Sequence, residues 1–203
     1  MKSHGGGATA LKGHATRDGP TSPDTLDLSC ARQYPCALVD IRTLNAYASR
    51  VRRRFLAKVS SLGWEDATRN REASYYSLVG ILLHMIDNEE WIVNVVIPGR
   101  PATERKKHLP NEFGGFEGVE ALLSEVEART KLYLEGVDAE ELGRHVRFTG
   151  FIGADNMTVE EWLFQTFTEQ LYHLGELIAL LWQQDVEPPP MQWFHNRESL
   201  SLS

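Results

Sequence analysis

The sequence predicts an all-α protein, a four-helix bundle with one long crossover between its second and third helices. Three observations carry this. Four segments place apolar residues at three- and four-residue steps, the spacing of one face of an α-helix. Those segments end at strong stop signals, among them Gly63, Pro98 and the run Pro188-Pro189-Pro190. A polar stretch carrying Gly and Pro, residues 99–115, separates the second segment from the third, and helices of similar length joined this way pack as a bundle.

The first helix is expected over about Val39 to Leu62, with Leu44, Tyr47, Val51, Phe55 and Val59 facing inward and Gly63 ending it. The second covers about Ser74 to Ile97. The third runs from about Gly118 to Leu134, with Leu122, Leu123, Val126, Thr130 and Leu134 inward and Gly136 as its C-terminal cap. An irregular stretch, residues 137–157, follows, in which His145 to Phe148 can form a short extended piece. The fourth helix begins at a capping box: Thr158 is the N-cap and Glu161 reaches back to it. It should continue to about Gln184. Residues 1–36 are rich in Gly, Ser, Thr, Pro and His and lack periodicity, which predicts a disordered tail before a bundle domain over 37–203.

Composition narrows the function classes. A formal charge of −7 argues against a nucleic-acid binder, because phosphate contacts need a basic surface. The basic cluster of Arg50, Arg52, Arg53 and Arg54 occupies successive helix positions and reads as a solvated face. The longest apolar run, Leu78 to Ile97, is interrupted by His84, Asp87, Asn88, Glu89 and Glu90, so no membrane span is expected. No apolar segment follows the first lysine, so no secretory signal is expected. Cys30 and Cys36 imply no disulfide framework; they read as two thiols in a reducing cytoplasm, with pairing and chelation left open.

The chemistry-bearing residues lie on the second and fourth helices. Glu169 and His173 stand at i and i+4, so they project from one helix face. An apolar face turns toward a core, where a bare carboxylate is costly unless paired or metal-bound. His84 lies midway along the second helix. Two histidines and a carboxylate make up a two-His, one-carboxylate metal site with open positions. The same residues also read as a surface Glu–His pair and a hydrogen-bonded core histidine. Spacing alone leaves both readings open.

The fourth-helix sequence from Thr158 to Leu177, the helix order and the long crossover resemble the DinB/YfiT-like superfamily of metal-binding four-helix bundles. That family typically closes with a His-x-x-x-His-Arg-Gly-Gln-like motif; here His173-Leu174-Gly175-Glu176 stands in its place, followed by an apolar turn and a Pro-rich exit. The family's second-helix histidine, followed by acidic and aromatic residues, matches His84 with Glu89, Glu90 and Trp91. The resemblance covers about Val39 to Pro190. Glu169 departs from the common pattern, and a His…Glu-x-x-x-His triad is similar to that of the mycothiol-dependent maleylpyruvate isomerase branch. The resemblance implies that His84, Glu169 and His173 bind a divalent metal, zinc first, with nickel, iron or manganese as alternatives.

On that basis the expected activity is a thiol-dependent transferase or isomerase. Its partners are a low-molecular-weight thiol and an electrophilic small molecule, activated at the open metal site. Asp87, Gln165 and Tyr172 are the candidates to orient the ligands, and Arg147 to bind an anionic group at the mouth. Metal-assisted hydrolysis, with Asp87 as base, and a non-enzymatic metal-binding stress-response bundle are the alternatives. A cytoplasmic location and a homodimer complete the expectation. No nucleic acid or membrane partner is expected.

Overall fold

A computed structural model describes residues 39–148 and 156–196 of the chain. The predicted tail, with Cys30 and Cys36, lies outside the described residues. Four long helices build the bundle: α1 (Ile41–Ser60), α3 (Leu78–Trp91), α4 (Phe116–Gly136) and α6 (Val159–Trp182). Short helices α2 (Trp64–Thr68), α5 (Ala139–Gly143) and α7 (Trp193–Asn196) decorate it, and β1 (His145–Val146) pairs antiparallel with β2 (Met157–Thr158). Both α1 and α3 pack against α4 and α6, so the chain is all-α with the long crossover between α3 and α4. Among the described residues no helix is long and apolar enough to cross a membrane.

Local chemistry sets the helix ends. Asp40 caps α1 by accepting a hydrogen bond from the Thr43 amide at 2.8 Å, so the helix starts two residues later than the apolar pattern suggests. Gly63 leaves α1 with φ 83°, a left-handed conformation that favours glycine. The capping box at α6 is present in both directions: the Glu161 amide donates to Thr158 Oγ1, and the Thr158 amide donates to Glu161 Oε2. Gly136 is not the expected cap but the last residue of α4. Arg42 of α1 donates to the carbonyls of Leu134 and Val137 instead, satisfying them without a left-handed turn.

The second bundle helix differs most from expectation. It begins at Leu78 rather than Ser74, because Ser77 caps it through the Gly80 amide at 3.0 Å and Tyr76 adopts φ 66°. At its far end the α-helix gives way to a π-helical turn, Ile92–Val96, closed by the Ile97 amide on the Ile92 carbonyl. The β-branched run there is crowded in an α-helix, and the added residue per turn buries Ile92, Val93, Val95 and Val96 together before Pro98 ends it.

The core has two stretches. One joins Val51 and Phe55 of α1, Leu82 of α3, Leu123 of α4, and Leu174 and Leu177 of α6. The other gathers Trp91, Phe148 and Trp162, with edge-on ring contacts at 5.4 and 5.8 Å. Each fully buried side chain of this size contributes about 1.5–3 kcal/mol. After the Pro run the chain folds back on α1, where Trp193 lies 5.0 Å from the Tyr47 ring and the Tyr47 hydroxyl donates to the Met191 carbonyl.

One core element contradicts the sequence reading. Arg52, expected on a solvated face, is fully buried and pairs with Glu89 of α3 at 2.6 Å and Glu127 of α4 at 3.0 Å. Gln170 of α6 donates to the same Glu89 oxygen at 3.0 Å. One polar cluster thus ties all four bundle helices together.

Candidate metal centre

The α3–α6 contact brings His84, Glu169 and His173 into one group whose ligand atoms lie within 4.8 Å of one another. A single oxygen, Glu169 Oε1, lies 3.4 Å from His84 Nε2 and 3.3 Å from His173 Nε2. A metal about 2.0–2.2 Å from each donor holds tetrahedral ligands roughly 3.4 Å apart. The donor types and spacing therefore fit a divalent cation. Three protein ligands leave coordination positions open.

The imidazoles are held from several sides. His173, nearly buried, is fixed through Nδ1 by Glu176 Oε2 at 3.2 Å, which leaves Nε2 directed at the shared carboxylate. Glu176 is itself anchored by Ser74, through the backbone amide at 3.0 Å and the hydroxyl at 2.7 Å. These contacts from Ser74 and His173 hold its carboxyl below the usual range, against the opposing effect of burial. The Tyr75 ring stacks on His84, 3.8 Å between centroids and 12° from parallel, and meets His173 edge-on at 5.3 Å. Burial, with the Glu169 charge adding to it, pushes the Tyr75 phenol up, so it stays neutral.

Burial beside His173 lowers the His84 pKa from 6.5 to about 4, with Glu169 opposing the shift. His84 thus keeps a lone pair for a metal at neutral pH. Between pH 6.5 and about 4 the unfolded chain binds a proton at this position that the folded chain does not. Metal-free protein is expected to lose stability as pH falls through that window. Thermal melts of the His84→Asn variant should show a shallower slope over the same range; an identical slope would rule out His84 as its source.

Gly80 is required by the packing around Tyr75. A Cβ there would lie 2.1 Å from the Tyr75 carbonyl oxygen, so the turn before α3 must move. Gly80→Ala is expected to cost about 1–3 kcal/mol and to displace the ring stacked on His84. Urea denaturation measures the first effect and metal titration the second; unchanged values in both would show that the turn adapts freely.

Beside His84 opens a cavity of about 400 Å³. Tyr75, Gly80, His84 and Asp87 form one wall, and residues 105–110 of the crossover form the other. Arg105 lies over the Trp91 ring, 4.3 Å from its centroid, which holds the guanidinium at this wall.

The structure distributes the other expected site residues unevenly. Gln165 Nε2 lies 3.5 Å from Glu169 Oε2, beside the triad. Tyr172 places its ring 5.0 Å from His173, yet is 71% exposed. Asp87 faces the crossover: Oδ2 accepts from the His108 amide at 2.7 Å, and Oδ1 pairs with His108 Nδ1 at 2.5 Å. Arg147 is exposed just beyond β1 and is not part of the cavity wall. Tyr75, Arg105, His108 and Glu176 also stand at the site, and none of them is an expected site residue. Only Glu176 carried a local signal, three residues beyond His173 on the same helix face.

No curated protein matches the chain. The family model of the DinB superfamily matches residues 47–177, which span most of α1 through most of α6 and include all three candidate ligands. Helix order, the histidine and Glu-x-x-x-His positions and this match agree, and the chain belongs to the DinB superfamily.

Proposed function

We propose that the protein is a metal-dependent transferase or isomerase that uses a low-molecular-weight thiol as nucleophile. The observation that carries this is the His84–Glu169–His173 group, a three-ligand set with an open side next to a 400 Å³ cavity. A divalent metal, zinc first, lowers the pKa of a thiol that occupies its open position. The chain's own contribution is orientation. Glu176 holds His173, Tyr75 covers His84, and Glu169 supplies the charge that offsets part of a dication. The cavity then receives an electrophilic small molecule beside His84. Arg105, fixed over Trp91, gives that space a cation near the entering substrate. The reading places the protein in a reducing cytoplasm, where such thiols accumulate, and allows it to act as a homodimer.

The test combines elemental analysis of the purified protein with a panel of thiols and a chromogenic electrophile. About one metal per chain, with turnover that requires an added thiol, is the expected result. Turnover in the absence of thiol would replace the transferase reading with hydrolysis. Metal without turnover under either condition would leave a metal-binding module, and no metal under any loading condition would overturn all three.

A further inference from the structure

The cavity beside His84 contains a second histidine that no part of the proposed site uses. His108 comes from the crossover, far from the triad in sequence, yet it lines the same cavity as His84, from the opposite wall. Asp87 grips it twice, through the backbone amide and through Nδ1. The Asp87 side chain is only 5% exposed, and that of His108 is 24% exposed. A carboxylate accepts hydrogen bonds and cannot donate them, so the ring hydrogen belongs on Nδ1. Nε2 then carries the lone pair, and among the described residues it has no hydrogen-bond partner. The Phe113 ring, 6.0 Å away, packs beside the imidazole.

A tether for the crossover would need only the backbone amide. The second bond fixes the tautomer and orientation of the ring, which is what a proton-transferring histidine requires. Arg105, Lys106 and Lys107 line the same wall as His108 and place positive charge at the cavity.

We infer that His108 is the catalytic proton carrier of this cavity and that Asp87 is its positioning residue. It rests on the thiol chemistry proposed above. Nε2 takes the proton of the thiol S–H, and the sulfur electron pair forms the S–C bond to the electrophile. The electron pair displaced from carbon departs with the leaving group, or moves to the neighbouring atom when the electrophile is unsaturated. The imidazolium returns its proton there. His108 ends neutral, and no oxidant or reductant is needed.

His108→Asn separates this role from a tether, because the Asn amide can replace the Nδ1–H donor while lacking Nε2. In the metal-loaded protein, His108→Asn is expected to lower kcat by about 10²–10⁴-fold with KM, metal content and melting temperature retained. Imidazole in solution should restore part of the rate to His108→Ala. An unchanged kcat in His108→Asn would overturn the proposal while leaving the proposed function in place. Ring-nitrogen NMR of histidine provides a readout that does not depend on turnover. His108 should be the Nδ1–H tautomer, and Asp87→Asn should weaken that preference; a predominant Nε2–H tautomer in the unaltered protein would also overturn it. Should the unaltered protein show no thiol-dependent turnover, the proposed function falls, and the tautomer spectrum alone decides whether the pair is built to accept a proton.

Discussion

Glu169→Gln is expected to abolish divalent-metal binding at the candidate triad and leave the bundle folded. The substitution keeps the shape of the side chain and one oxygen that can face the two imidazoles. It removes the only negative charge among the three ligands. Removing an outer contact to a ligand already costs about 10–100-fold in metal affinity. Loss of the charged ligand should exceed that and take bound metal well below stoichiometric levels. Stability should change by less than about 1 kcal/mol, since the side chain is 31% exposed and belongs to no core cluster. Elemental analysis of the purified variant, with His173→Ala beside it, measures the first effect, and circular dichroism the second. Stoichiometric metal retained in both variants would show that the triad is a hydrogen-bonded group and nothing more.

Arg52→Leu should destabilise the bundle strongly. It strands Glu89, which is fully buried and, among the described residues, keeps only the Gln170 amide as partner. An uncompensated buried charge costs about 3–5 kcal/mol, which for a domain of this size lowers Tm by roughly 6–20 °C. The paired variant Arg52→Leu/Glu89→Leu should recover much of the loss, because burying two ions is itself expensive. Thermal and urea denaturation of the three proteins decide this; a single variant as stable as the parent would show that Glu89 is neutralised by other means. The outcome bears on the site. Glu89 follows His84 on α3 and Gln170 follows Glu169 on α6, so their hydrogen bond sets the rotation of α3 against α6. That rotation decides whether His84 faces Glu169.

What could be read from the sequence was whatever repeats locally. Apolar residues at three- and four-residue steps located four helices, Thr158 and Glu161 marked the start of α6, and prolines marked ends. The spacing of Glu169 and His173 put both on one face, and the shared faces of two amphipathic helices made His84 their natural partner. Helix periodicity, capping and i, i+4 geometry act over a few residues, so these features have sequence signatures.

The rest depended on pairs that no local pattern connects. Arg52 looked like one of four solvated arginines because a periodicity reading assigns charge to the outside. Only the convergence of α1, α3, α4 and α6 supplies carboxylates to bury it against. Ser77 starts α3 at Leu78 rather than Ser74 and frees Tyr75 to fold back on His84, a contact impossible had the helix begun at Ser74. Ser74 reached Glu176, and His108 reached Asp87, across loops whose closure is set by the assembled bundle. Periodicity, capping and i, i+4 spacing suffice for the four long helices, their order and the three candidate metal ligands. The tertiary structure alone decided which side chains fix those ligands and which histidine shares the cavity beside them, because such contacts depend on how packed helices rotate and where their connections come to rest.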